Sequence, residues 1–415
     1  MAAAATVLAL VGQPGGAVAS DAGDRATIKA LTTTRGTTVT RQFFGMHAPQ
    51  LDAQFPAAPV GAVDLTTNNV YWPQLELSPG VFDFTPLDAV VAQAEANHVK
   101  PLLVLGQTPA FHSLSPSSVP VAASVPDLAA WKAYVTAVVT QYGARLEYQI
   151  WPEPNVRNNF AGTPQQMADL VVAAAKIIHK KASGATVVAP AMVLRLAFQR
   201  TWMKAFFAVR VNGVRVGRYV DAVSVDPYPL QDGTPEDSLA LIAKAQRILA
   251  AADVTKPLWN LEINYFVPVG GVTAAAPPTD RTSVSYVIRT YVLNAAAGVR
   301  RVYWLGWLRY FNLGISMVAE DGVTPTAAGL AFSRVRTWLL GQRARGCTYD
   351  RGTGVYACRF VHAGRSSWVY WVQGGSAKVR APAGVRHVQT MYGDVSRTHR
   401  GQRIRVTNAP VRVYH

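Results

Sequence analysis

Between residues 43 and 340 short apolar runs alternate with stretches of helical periodicity, and this alternation constrains the fold more than any other feature. The strand candidates are Phe43–His47, Ala62–Val70, Pro101–Gln107, Leu146–Glu153, Thr186–Met192, Ala222–Tyr228, Pro257–Asn264 and Arg301–Trp307. Helical stretches between them include 86–98, 127–142, 164–181, 235–252, 282–297 and 325–340. Thr85-Pro86, Thr163-Pro164, Thr234-Pro235 and Thr324-Pro325 each put a threonine N-cap before a proline suited to the first helical position. Eight strands, most followed by a crossover helix, close into a (β/α)8 barrel if the crossovers are right-handed. The competing arrangement is a doubly wound open sheet. Against it, no GxGxxG follows the first strand and the chain has no phosphate loop.

The texture changes after Arg343. Short alternating strands such as "GVYACRFVH", "SSWVYWVQ" and "RIRVTNAPVRVYH" follow, separated by Gly, Asp and Ser turns. The fold class expected is therefore α/β, a (β/α)8 TIM barrel over 43–341 with a small C-terminal β-sandwich over 342–415. Residues 21–42 are expected to form a linker, and 27–42 to lend the sandwich a strand. At the N-terminus, Ala2–Val11 is a short apolar run and Ala17-Val18-Ala19 fits a small-residue cleavage site. Residues 1–20 read as a signal peptide lacking its basic n-region, with the mature chain beginning near Ser20 or Asp21. No run approaches the ~18 apolar residues of a membrane span.

The two cysteines, Cys347 and Cys358, lie equidistant from a turn centred on Gly352-Thr353, so a cross-strand disulfide is expected. It suits export to an oxidising compartment, hence a secreted or envelope-associated protein. A zinc site has no support, since no second cysteine pair or HxxxH spacing exists. Of the net charge of +16, residues 342–415 supply 13 Lys+Arg less two acids, or 13 − 2 = +11. Such a domain suits an anionic envelope polymer, or simply a solvated basic surface. Nucleic acid is a minor expectation, because the arginines sit in alternating strands without interleaved exposed aromatics.

In a barrel of this kind, functional residues collect at the C-terminal ends of the strands. Glu153 in "EYQIWPEPN" ends the fourth strand and Glu262 in "LWNLEINY" lies near the end of the seventh. One such glutamate is readily a structural carboxylate. Two, across the barrel mouth from each other, suit glycoside hydrolysis, which needs one protonated carboxyl and one ionised carboxylate. No rival catalytic set exists: there is no GxSxG elbow and no HExxH, and the eight histidines lack ligand spacing.

The chain resembles the large glycoside hydrolase superfamily of TIM barrels, and within it the family 39-like branch. The matching pieces are "FFGMH", the run from "NNVYWPQLELSPG" to "LLVLGQTPAF", "YQIWPEPN", "VSVDPYP" and "LWNLEINY", together spanning most of residues 40–310. The resemblance implies Glu153 as acid/base, Glu262 as nucleophile and a retaining double displacement, with no metal or other cofactor. It also implies His47, Trp72, Tyr228 and Trp304 or Trp307 as accessory residues. Tyr228 has the chemistry to hydrogen-bond the nucleophile, and the tryptophans either stack on sugars or belong to the core. Asn155 is a candidate substrate contact or the start of the next loop.

One departure bears on substrate. The superfamily usually carries Asn directly before the acid/base, where it bonds the sugar 2-hydroxyl; this chain has Pro152. Asn68, Asn69, Asn260 and Asn264 are candidates to replace it. The function expected is hydrolysis of a polysaccharide or oligosaccharide. The alternative is a non-catalytic glycan-binding or envelope-associated protein on the same scaffold.

Overall fold

The computed structural model describes residues 36–115, 120–268, 276–308 and 313–415; the expected signal peptide lies outside them. Eight strands, β1 (Phe44–His47), β2 (Ala62–Asp64), β3 (Pro101–Leu105), β4 (Glu147–Ile150), β5 (Val187–Val193), β6 (Ala222–Asp226), β7 (Leu258–Ile263) and β8 (Arg301–Leu305), close into a parallel barrel in sequential order. The strands are buried nearly throughout because helices cover the outer face and side chains fill the interior. Ala62, Leu102, Val188, Ala191, Ala222, Trp259, Leu261 and Tyr303 form a buried cluster contributed by the strands themselves. Where β4 and β8 begin, Arg301 Nη2 donates to Glu147 Oε1 at 2.7 Å while its guanidinium lies 3.9 Å from the Trp259 ring centroid.

Among the described residues the helices longer than one turn are α1 (Thr85–Ala96), α2 (Leu128–Tyr142), α3 (Pro164–Lys181), α4 (Ala197–Ala208), α5 (Pro235–Ala251), α6 (Asp280–Ala296) and α7 (Ala327–Leu339). Two of the four Thr-Pro starts behave as expected, since Thr163 and Thr234 close capping boxes with Gln166 and Asp237. The other two do not. Thr85 is already helical, and its amide is taken by Asp83 Oδ1 at 2.9 Å; Thr326, not Thr324, caps α7. The second strand also stops earlier than expected. Asp64 Oδ1 accepts from Thr66 N at 2.7 Å, turning the chain into a 3-10 turn over Thr66–Asn68. Helix α4 is not among the expected helices; its N-cap is the apolar Leu196, whose amide donates to Gln199 Oε1 at 2.8 Å.

A β-sandwich follows the barrel. Its larger sheet has six strands, in the order 343–350, 355–362, 365–372, 411–414, 387–390 and 395–397, and a two-stranded ribbon pairs 377–380 with 403–406. Cys347 and Cys358 face each other in register and are bonded, as the turn geometry predicts. Most of the expected N-terminal strand, residues 27–35, lies outside the described residues; in the described part Thr38 bridges Arg343 and Val39 N donates to Gln342 O at 2.8 Å.

The sandwich is fastened to the barrel by a buried polar knot. Glu236, in the first turn of α5, pairs with Arg289 of α6, whose Nε donates to Glu236 Oε1 at 2.8 Å. From the sandwich, Trp371 Nε1 and Gln373 Nε2 donate to the same carboxylate at 2.7 and 3.1 Å. Burial alone would raise the Glu236 pKa, but Arg289 and the Gln373 hydrogen bond hold it below the ordinary glutamate value. Glu236 therefore adds stability that is present above the ordinary glutamate pKa and is lost as pH falls through the depressed one. Arg289→Ala, which leaves that carboxylate buried and unpaired, is expected to cost about 3–5 kcal/mol in denaturant unfolding at neutral pH.

Candidate active site

Strand β4 ends at Ile150, and the next four residues adopt a forced conformation. Trp151 and Glu153 have φ of 66° and 38°, left-handed values for two residues that each precede a proline. Packing and hydrogen bonds hold the turn. Trp151 N donates to Leu105 O at 2.6 Å, its indole Nε1 donates to Asn159 O at 2.8 Å, and the ring packs on Trp131 and Phe160. Strain of this kind persists where the surroundings over-determine it, and it aims Glu153. Asn159 Nδ2 then donates to Glu153 Oε2 at 2.9 Å.

Glu262 is delivered differently. The pairing of β7 with β8 shifts register between Asn260 and Ile263, the kind of irregularity that re-aims a side chain at a barrel rim. Asn260 Nδ2 bonds Asn294 Oδ1 on helix α6 at 3.2 Å, whereas Glu262 Oε2 accepts from Tyr228 Oη at 3.0 Å. Tyr228 thus makes the contact its position suggests. His47, 1% exposed, lies beside the same strand, with Nε2 bonded to Leu261 O at 2.7 Å and Nδ1 3.5 Å from Asp64 Oδ1. It positions the strand that carries Glu262.

Glu153, Asp226 and Glu262 each bring one oxygen within 4.8 Å of the other two. Crowding shows in the electrostatics. Burial pushes Glu153 up to about 7, with Arg195 and the Asn159 hydrogen bond pulling it back. Glu262 is driven well above the ordinary value by burial, then by the Glu153 and Asp64 charges, with Tyr228 opposing. Asp226 is raised by burial and then by the Glu262 and Glu153 charges, and its Oδ1 is buried without a hydrogen-bond partner. Carboxyls so close cannot all ionise, so the cluster retains protons near neutral pH. These three oxygens have the spacing to ligate a cation.

Several of the expected substrate contacts lie packed in the interior of this structure. Asn155 is 3% exposed; its Nδ2 donates to Val193 O and Gln199 O at 2.7 and 3.1 Å and its Oδ1 accepts from Val193 N, tying the ends of β4 and β5 together. Trp72 is fully buried, stacks on Tyr134 at 4.7 Å, and its Nε1 donates to Glu76. Trp304 and Trp307 are 0% and 2% exposed, so neither offers a face to a sugar in this conformation. Of the asparagines able to stand in for the residue that Pro152 replaces, Asn260 faces the helix layer. Asn264 is spent on Leu305 O and Ile315 O, and Asn68 on Ala48 O and Leu51 N. Asn69 alone among them is exposed.

The sequence reading missed Arg195, Asn159 and Asp64. Arg195 carried a signal, being a lone charge in the apolar run "VVAPAMVLRLAF" just past β5. Its guanidinium sits 5.3 Å from the Tyr228 ring centroid. A separate cavity, lined in part by Pro277, Leu313, Ile315 and Glu320, includes none of the clustered carboxylates.

No family model and no curated protein matches the sequence. Solved structures do match. A family 39 glycoside hydrolase from the gut symbiont Bacteroides cellulosilyticus WH2 superposes with a TM-score of 0.69 at 16% identity, covering 89% of this chain and 80% of that one. The fold is that of the glycoside hydrolase barrels. A GH39 enzyme from Xanthomonas axonopodis pv. citri (TM-score 0.60, 13% identity, 92% of this chain and 95% of that chain) has the same architecture. So does a GH30 endoxylanase from Clostridium papyrosolvens C71 (TM-score 0.62, 13% identity, 92% and 98%). The matches run through the β-sandwich as well as the barrel, and two of these three belong to the branch the sequence resembles.

Proposed function

We propose that the protein is a retaining glycoside hydrolase of exported type, acting on a polysaccharide or oligosaccharide, with Glu153 as acid/base and Glu262 as nucleophile. The observation that carries this is the approach of a Glu153 oxygen to within 4.8 Å of a Glu262 oxygen from strands four and seven. That closeness supports double displacement, for which carboxyls stand about 5–5.5 Å apart, over inversion, which needs about 6.5–9.5 Å to admit a water. The division of roles comes from the resemblance; the electrostatics contribute a shared proton near neutral pH.

Glu262 carboxylate attacks the anomeric carbon as the glycosidic C–O bond breaks, and Glu153 gives its proton to the departing oxygen. A glycosyl ester on Glu262 results. Glu153, now ionised, takes a proton from water, the water oxygen bonds to the anomeric carbon, and the ester opens to regenerate Glu262 carboxylate. Tyr228 holds Glu262 in place and favours its ionised form. Pro152 has no side-chain amide for the 2-hydroxyl, so substrates of the family are not carried over to this chain. The Cys347–Cys358 bridge supports an oxidising compartment.

The test is a panel of aryl glycosides and oligosaccharides followed by NMR of the first-formed product. The expected product keeps the anomeric configuration of its substrate; an inverted product overturns double displacement. Binding across the panel with no turnover would favour the non-catalytic reading.

The acid must hold its proton, so kcat/KM is expected to fall as pH rises through about 7, the value to which Glu153 is raised. Arg195 holds that value down, so Arg195→Ala removes a cation and moves the alkaline limb to higher pH. A pH–rate profile of the two proteins reads this directly. An unmoved limb would show that Arg195 does not act on the acid.

A further inference from the structure

The two-stranded ribbon of the sandwich has one apolar and one cationic face. Its register pairs Ala377 with Val406, Lys378 with Arg405, Val379 with Ile404 and Arg380 with Arg403. Ala377, Val379, Ile404 and Val406 turn inward onto a core shared with Tyr370, Val372 and Val413 of the larger sheet. The outward face is left to Lys378, Arg380, Arg403 and Arg405, all exposed. Cross-strand partners stand about 4.5–5.5 Å apart at Cβ, and residues i and i+2 about 6.6–6.8 Å apart along a strand. Four cations therefore form a tight rectangle of like charges directly opposite one another, an arrangement that costs stability.

Nothing in the domain neutralises them. Among the described residues none of the four forms an ion pair. The only acids in residues 342–415 are Asp350 and Asp394. Asp350 is occupied by Gly352 N and Thr353 Oγ1, and Asp394 by Thr390 Oγ1, each within its own turn.

We propose that this ribbon face is a binding site for an anionic polysaccharide, one carrying carboxylates along its chain. The rectangle of cations lets one polymer strand satisfy several charges at once. The face carries no aromatic side chain on which a base could stack and no apolar side chain to enter a bilayer. A carboxylated polymer needs neither. The proposal does not depend on turnover, so it and the glycosidase reading can fail separately.

The experiment measures binding of the full chain to polygalacturonate, to fully methyl-esterified pectin and to single-stranded DNA at rising salt. The test variant carries Lys378→Ser, Arg380→Ser, Arg403→Ser and Arg405→Ser. A charge-matched control carries Lys132→Ser, Lys180→Ser, Lys204→Ser and Arg247→Ser, exposed positions on the barrel. Wild type and control are expected to bind polygalacturonate and not the ester. With a slope of about −0.7 per neutralised charge, four contacts lose about 50-fold in affinity between 50 and 200 mM salt. The ribbon variant is expected to lose both the binding and the salt slope. A two-site variant, Lys378→Ser with Arg403→Ser, guards against misfolding of the fourfold one and should lose about half the slope. Equal losses in ribbon variant and control, tighter binding to DNA than to polygalacturonate, or no binding by wild type at low salt would each overturn the proposal. The last would leave the cations as a guard against edge-to-edge pairing.

Discussion

Glu262→Gln is expected to abolish turnover, with kcat lower by on the order of 10⁴-fold or more, as when an essential nucleophile is removed elsewhere. The amide keeps the shape of the side chain and its contact with Tyr228 Oη but cannot form the glycosyl ester. Stability should move the other way. Glu262 is raised well above the ordinary pKa by burial and by the neighbouring carboxylates, so its charge is held at a cost. Replacing it with a neutral group relieves that cost, and Tm should hold or rise while activity vanishes. Steady-state kinetics and a thermal melt on the same preparation check both. Full activity in Glu262→Gln would remove Glu262 from the reaction.

Glu153→Gln is expected to lower kcat/KM by about 10²–10⁴-fold on glycosides with poor leaving groups, the span typical of general acid–base catalysis. At the upper end this corresponds to about 5.4 kcal/mol of transition-state stabilisation. The loss should depend on the substrate. A leaving group that departs readily as an anion needs no proton, so 2,4-dinitrophenyl glycosides should lose far less in formation of the glycosyl ester. The alkaline limb near pH 7 should also disappear, because the group that titrates there is gone. A uniform loss across leaving groups, with the limb retained, would mean that Glu153 is not the acid.

Much of this fold was legible because period is a local property. Apolar runs of strand length alternating with helical stretches can close in few ways, and Thr163 and Thr234 mark helix starts with their own hydroxyls. Boundaries were less legible wherever a side chain intervened from its own loop, as Asp64 does in ending the second strand. Helix α4 begins at an apolar N-cap, Leu196, which gives no sign of itself in sequence. Within the site, Glu153 and Glu262 were readable because a barrel places strand ends together, whatever the details of packing. The accessory tryptophans were not, since a strand-end indole looks the same in sequence whether it faces the mouth or, like Trp72, stacks on Tyr134.

The sequence alone determined the eightfold alternation, the change of texture after Arg343, the disulfide register and the two glutamates, all of which follow from order along the chain. Tertiary structure decided what depends on neighbours distant in sequence. It turned Asn155 and Asn260 into ties between elements and brought Asp226 into the carboxylate cluster. It raised the Glu153 pKa towards neutrality through burial, and gathered four cations onto one face of a ribbon whose strands are far apart in sequence. Charge, desolvation and hydrogen-bond saturation are set by distances in space, and only the folded chain supplies those distances.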